Sequence, residues 1–147
     1  MIIETLVEIY ERDLNKLKEE IYLCKNENDL WVVKGEIKNS AGNLCLHLCG
    51  NLLHFIGAVL GKSGYVRQRE KEFSEKNIPV EKLISEIENT ISVIKKVLSE
   101  MKENDLEKIY PIHVFGKEMT TGFFLIHLTT HFNYHLGQIN YHRRLLK

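Results

Sequence analysis

The sequence has no surplus of charge of either sign. Over 147 residues, 20 lysines and arginines face 20 aspartates and glutamates. That balance argues against a protein that tracks nucleic-acid phosphates, which carries a basic excess. No stretch approaches the roughly 20 apolar residues of a membrane span. The first turns carry Glu4, Glu8 and Glu11, where a secretory signal needs basic residues followed by an unbroken apolar core. A cytoplasmic location is therefore expected. Cysteine is scarce, and its count of three is odd, which fits a reducing compartment and no disulfide framework. There is no internal repeat and no low-complexity segment. The length suits one domain spanning residues 1–147.

Helical periodicity fills most of the chain. Ile2, Ile3, Leu6, Ile9, Tyr10, Leu14, Leu17 and Ile21 follow helical spacing and predict a packing helix from Ile2 to about Leu23. Residues 24–39 carry turn chemistry, with Leu30 to Val33 as a short extended piece or an apolar plug that includes the single tryptophan, Trp31. A second helix runs from about Ser40, its N-cap, to Leu60, with Gly61 as its stop. It is apolar on most sides, as a helix deep in a bundle is. Residues 61–79 form a linker whose charged run, Arg67 to Glu72, reads as a solvated loop. This linker is long enough to cross between distant helices and to cover the mouth of a pocket. Arg67 and Arg69 meeting an anionic substrate is its secondary reading. A third helix spans Val80 to about Glu103, and Pro79 suits its first turn. Residues 104–120 suggest a short hairpin of Ile112–Phe115 against Glu118–Thr121, with His113 at the surface or in packing. The last helix runs from Thr121 to Leu146, capped by Thr120 or Thr121. The sum is an all-α four-helix bundle whose loops are too long for a simple up-down chain.

The chemistry lies on two helical stripes. His127, His131 and His135 recur every four residues, a step of about 40° round a helix. They share a stripe with Phe124, Gln138 and His142, where an amphipathic helix should be apolar and face inward. On the second helix His47, Asn51 and His54 form another polar stripe, with Asn51 at about +40° and His54 at about −20° from His47. Buried polar groups need partners. Cys45 and Cys49 project about 160° away from His47 and read as small core residues. Two histidines four apart can aim at one ion, and a facing helix supplies a third imidazole, as in metal sites built inside bundles. One ion cannot reach all three histidines of the last helix, because His127 and His135 stand about 12 Å apart along the axis. Spacing alone does not say which pair binds.

The segments from Asn43 to Leu52 (NLCLHLCGNL) and from His131 to Ile139 (HFNYHLGQI) resemble the DinB-like (YfiT-like) superfamily, and the Gly137-Gln138-Ile139 that follows the second histidine is part of that pattern. The stretch from Ser40 through Gly61 and Arg67 to Phe73 is especially similar to an uncharacterised bacterial branch. The resemblance covers nearly the whole chain. It implies a bundle of up-down-down-up topology and a divalent metal held by His47, His131 and His135, which selects the pair without His127. Where the family often has histidine-arginine before the Gly-Gln, this chain has Leu136 after His135, a change beside the pocket or dimer surface and not among the ligands. A homodimer is implied as well. Members of the superfamily include thiol-dependent S-transferases that use bacillithiol or mycothiol, and a maleylpyruvate isomerase.

Three protein ligands leave an open position, as in catalytic zinc sites. Such a site activates water for hydrolysis or takes up a low-molecular-weight thiol as thiolate. Asn51 and Gln138 are candidates to orient the incoming molecule or, for Gln138, to hold a ligand imidazole in place. His54 is a candidate base, read in preference as a buried and hydrogen-bonded histidine. No carboxylate shares the ligand stripe, which favours thiol transfer over hydrolysis. The expectation is thus a metal-dependent S-transferase with a small-molecule substrate. A metal-dependent hydrolase and a non-catalytic, stress-related metal-binding bundle are the alternatives. Zinc, nickel, iron or copper would suit the donor set.

Overall fold

In a computed structural model the chain is an all-helical bundle, and the structure describes residues 1–146. Helix α1 spans Ile2–Leu23, α2 Ala41–Leu52 and α3 Arg69–Ser74, followed by α4 Val80–Ser99 and α5 Thr121–Leu145. Beyond Leu52 the α2 rod continues as a wider π-helix, Leu53–Leu60. Single 3₁₀ turns cover Glu27–Trp31 and Glu103–Glu107.

Cross-helix pairs fix the direction of each helix. Tyr10 donates its hydroxyl to the Leu125 carbonyl, Asp13 accepts from Asn133, and Glu20 accepts from Asn140 and Arg143. Rising numbers meet rising numbers, so α1 and α5 are parallel. Lys18 reaches Glu88 while Glu11 reaches Lys95, so α4 runs against α1. Gly57 lies against Val93 and Gly61 against Val97, so α2 and α4 are parallel. The topology is up-down-down-up, as expected. Because α2 and α4 point the same way, the chain must return the length of the bundle between them. The rod Ala41–Leu60 is about 30 Å long, and residues 61–79 span it.

The core is the apolar faces of the four long helices. On α1 these are Ile3, Leu6, Tyr10, Leu14, Leu17 and Ile21. Two expected members differ: Ile2 is exposed and Ile9 only half-buried, because the face advances through the 3–4 spacing that begins at Ile3. Asp13 is buried with Arg12 and Asn133 as its partners. On α4 the apolar face is interrupted by Thr90, which returns its hydroxyl to the Glu86 carbonyl.

Several local expectations need correction. The rod Ala41–Leu60 is in fact long and apolar enough to cross a membrane by length and composition, but 67% of that window is buried against other helices. The third long helix ends at Ser99, short of Glu103. Leu30 and Trp31 close a 3₁₀ turn, with only Val32 after them extended, and Trp31 does act as a plug: a Cβ on Gly42 would stand 2.7 Å from its ring. The hairpin is absent among the described residues. One isolated bridge, Ile109 to Thr120, stands in its place, since the Thr120 side chain turns to cap α5 by accepting from the Phe123 amide.

Gly61 ends the α2 rod through space rather than through left-handed backbone, for its φ is −90° and the positive φ falls on Lys62. A Cβ at Gly61 would overlap Val97 and lie 2.7 Å from the Gly57 carbonyl oxygen. Gly137, in α5, has nothing within 4 Å. Gly61→Ala should therefore destabilise the fold by about 1–3 kcal/mol, whereas Gly137→Ala should stabilise it by about 0.5–1 kcal/mol through helix propensity. Urea denaturation of the two variants beside the native protein checks both signs.

Candidate metal centre

Antiparallel packing of α2 on α5 sets His47 opposite His131 and His135. One nitrogen from each of the three lies within 4.8 Å of the other two. The Nε2 atoms of His47 and His131 are 3.3 Å apart, and the ring centroids of His131 and His135 are 4.7 Å apart. His47 is buried, while His131 and His135 are half-buried. Only the ends of the histidine stripe of α5, Phe124 and His142, are buried. Leu125, Leu128, Phe132, Leu136 and Ile139 fill the core between them, and His127, His131 and His135 lie beside that face at the edge of a pocket. A reactive centre needs that access, which a core position would deny.

The far nitrogens are held by neighbours. His135 Nδ1 lies 2.7 Å from Gln138 Oε1, one helical turn on. His47 Nδ1 lies 3.1 Å from Glu72 Oε1. A carboxylate only accepts, so His47 donates Nδ1–H, and in the neutral ring the Nε2 lone pair faces the cluster. Gln138 does the same for His135. Two nitrogens each about 2.0–2.1 Å from one tetrahedral ion stand about 3.4 Å apart, close to the spacing of His47 and His131. By donor set, tautomer and spacing, the triad can hold a divalent cation.

Glu72 was not legible in the sequence as part of this centre. The run Arg67 to Glu72, expected to be a solvated loop, includes the start of α3, and Glu72 is 6% exposed. Arg67 grips it with Nε at 2.9 Å from Oε2 and Nη2 at 3.0 Å from Oε1. Burial pushes the carboxyl of Glu72 up, but the hydrogen bonds from His47 and Arg67 outweigh it and hold the group ionised. Two further residues place it. Asn43 donates to the backbone carbonyls of Glu72 and Glu75 at 2.9 and 2.8 Å and accepts from Ser40 and Lys76. A side chain on Gly50 would collide with the Glu72 carboxylate. Asn43, His47 and Gly50 recur at helical spacing, so they form the face of α2 that receives α3. That spacing was the available signal, though it does not say what docks there.

The remaining expected residues divide. Asn51 lines the pocket, is buried, and its Oδ1 has no partner. His127 lines the pocket one turn before His131, packed edge-on to Phe115 at 4.9 Å, and is outside the triad. His54 does not join the triad: two turns beyond His47, it lies about 10 Å further along the rod. It is half-buried against Phe55 rather than fully buried, and burial and then Arg67 lower its pKa. His142 is buried and bonds the Val32 carbonyl at 2.7 Å, and His113 is exposed. Cys45 and Cys49 are buried free thiols, in the core as expected.

Fold and centre together define a four-helix bundle with a three-histidine site at the edge of a pocket of about 500 Å³. The chain belongs to the DUF1572 family, described as a protein of unknown function, whose profile matches residues 4–147. No curated protein matches it. Among solved structures it is similar to a conserved protein from Enterococcus faecalis, with a TM-score of 0.76 at 17% identity over 99% of this chain and 96% of that one. At that identity the likeness shows the fold.

Two expectations follow. Gly50→Ala should push Glu72 off His47 and lower metal affinity about 10–100-fold, the usual effect of losing the partner of a ligand imidazole; competition titration with a chromogenic chelator measures it. His131 is held neutral, its pKa lowered from 6.5 to about 4 by burial and then by His135 and His47. The unfolded chain therefore binds more protons than the folded one between those values. The His131 contribution to the stability of the metal-free protein should be lost as pH drops from about 6.5 to about 4 and change no further below, where carboxylates held down by their partners, such as Glu72, continue the fall. Urea midpoints across that range, with His131→Gln giving a flatter profile, check the sign.

Proposed function

We propose that the protein is a DinB-like, metal-dependent enzyme that transfers a small electrophile onto a low-molecular-weight thiol, with a divalent ion of zinc, nickel or iron held by His47, His131 and His135. The observation that carries this reading is a converging imidazole triad at the edge of a pocket that, among the described residues, no carboxylate lines. Glu72 is the nearby acid, and its oxygens are committed to Arg67 and His47. It is a brace and not a free base, which weighs against hydrolysis. The chemistry supplied by a bound cation is the stabilisation of thiolate over thiol at neutral pH.

The chain's own groups do the rest. Glu72 and Gln138 keep the imidazoles of His47 and His135 in the tautomer that faces the site, and burial keeps His131 neutral. Arg69 on the pocket wall adds positive potential that favours an anionic sulfur, the charge of Arg67 being offset by Glu72. Asn51 orients the incoming molecule. The sulfur supplies the electron pair of the new S–C bond, and the leaving group departs with the pair of the bond it loses. A cytoplasmic setting supplies such thiols and keeps Cys24, Cys45 and Cys49 reduced. A homodimer belongs to the same reading, and the exposed side chains of Phe123, Tyr134 and Tyr141 on α5 are the surface offered to it.

Elemental analysis of untagged protein tests the centre. Near one equivalent of metal is expected in the native chain and little in His47→Ala or His135→Ala; a native protein that takes up none at neutral pH would sink the site. Turnover of alkylating substrates should require added thiol. Ester or amide cleavage without thiol would make the protein a hydrolase, and metal binding without any turnover would make it a binding module.

A further inference from the structure

Arg67 enters the pocket with half of its guanidinium committed. Its side-on edge, Nε and Nη2, holds the two oxygens of Glu72. Nη2 also lies 3.4 Å from His47 Nδ1, and Nη1 has no hydrogen-bond partner among the described residues. The guanidinium sits over the Phe55 ring, 5.8 Å from its centroid, and the side chain is 11% exposed. It is thus anchored from one edge and from beneath, and the fork of Nη1 and Nη2 is left for a ligand. A planar fork of this kind matches a carboxylate.

Asn51 is the second observation. It lines the same pocket, is 7% exposed, and its Oδ1 is buried without a partner. A buried acceptor in that state is costly, and an N–H or O–H on a bound molecule would satisfy it. Beside the histidines and Asn39, the rest of the wall is aromatic and apolar, with Phe55, Phe73, Phe115, Phe124 and Leu128. In the metal-free pocket the charge selects a monoanion. Glu72 offsets Arg67, which leaves Arg69, over Phe73 at 5.3 Å, as the cation of the wall without an acidic partner among the described residues.

We propose that the molecule bound in this pocket is a small aromatic or otherwise apolar carboxylate. Its carboxylate docks on the Nη1–Nη2 fork of Arg67, its body lies among Phe55, Phe115 and Phe124, and a donor group on it reaches Asn51. This names the electrophilic substrate of the proposed function and rests on that reading for its place beside the triad. The binding geometry itself needs no metal.

Calorimetric titration with benzoate, benzamide and phenyl phosphate tests it, on metal-free and zinc-loaded protein, with the zinc content of each sample measured. Benzoate is expected to bind at least about tenfold tighter than neutral benzamide in both forms, and Arg67→Gln to reduce that preference to within about twofold in the metal-free form. Equal binding of benzoate and benzamide overturns the proposal. A preference that survives Arg67→Gln in the metal-free form also overturns it, since the carboxylate is then held elsewhere, as does tighter binding of phenyl phosphate than of benzoate in that form. Failure of the native chain to take up zinc, with the benzoate preference intact, would remove the proposed function and leave this inference standing. Should Arg67→Gln not fold, Arg69→Gln with ¹⁵N-labelled arginine replaces it. A guanidinium resonance that moves with benzoate and not with benzamide supports Arg67, and no movement overturns it.

Discussion

Glu72 is a carboxylate taken out of water, and the architecture around the site is arranged to make that tolerable. Burying an unpaired carboxylate costs several kcal/mol even after relaxation. Here Arg67 meets both oxygens and His47 meets one. Gly50 leaves the space that the carboxylate fills, and Asn43 ties the backbone on either side of Glu72 to α2. The attachment of α3 to α2 is therefore largely polar. Removing any one partner leaves the others holding a buried charge, so the group behaves as a unit. What it secures is the orientation of one imidazole and the position of the segment that walls the pocket.

The need for that segment follows from topology. Parallel α2 and α4 force a return crossing, and residues 61–79 make it across the open side of the α2–α5 pair. Arg67, Arg69 and Phe73 reach the pocket by that route. Antiparallel α2 and α5 make the complementary contribution. With Phe55 against Phe124 toward one end and His47 against His131 and His135 toward the other, one groove carries an aromatic half and a metal-binding half. The clasp of α1 on α5, through Asp13 with Asn133 and Glu20 with Asn140 and Arg143, holds α5 from behind.

The helices were legible because amphipathic periodicity runs through whole segments, and Ser40 and Thr120 were readable as caps by residue type. The histidine stripe was legible for the same reason, although spacing left two pairs open and the resemblance chose between them. What escaped was non-local. The partner of Glu72 lies 25 residues away in sequence, and a balanced charged run looks alike whether solvated or docked. The buried Asp13 is non-local in the same sense, its amide partner being 120 residues distant. The rotation of the α5 core face by about one position relative to the histidines was hidden because apolar residues flank them on both sides. The hairpin expected at Ile112 to Thr121 failed because short extended runs carry no periodicity long enough to distinguish a pair of strands from a loop.

Where the structure leaves polar atoms unpaired bears on what the histidines are for. Buried polar groups in native proteins almost always find partners. Among the described residues three buried side-chain atoms have none: Asn51 Oδ1, His131 Nδ1 and His142 Nδ1. Two of the three belong to residues lining one pocket. His142, bonded to the Val32 carbonyl away from the pocket, shows that a packed histidine of this scaffold can leave one ring nitrogen unpaired. The unpaired nitrogen of His131 is likewise Nδ1, while its Nε2 faces His47. The unmet capacity that bears on the pocket is therefore the amide oxygen of Asn51, one turn from His47, which a donor on a bound molecule would satisfy.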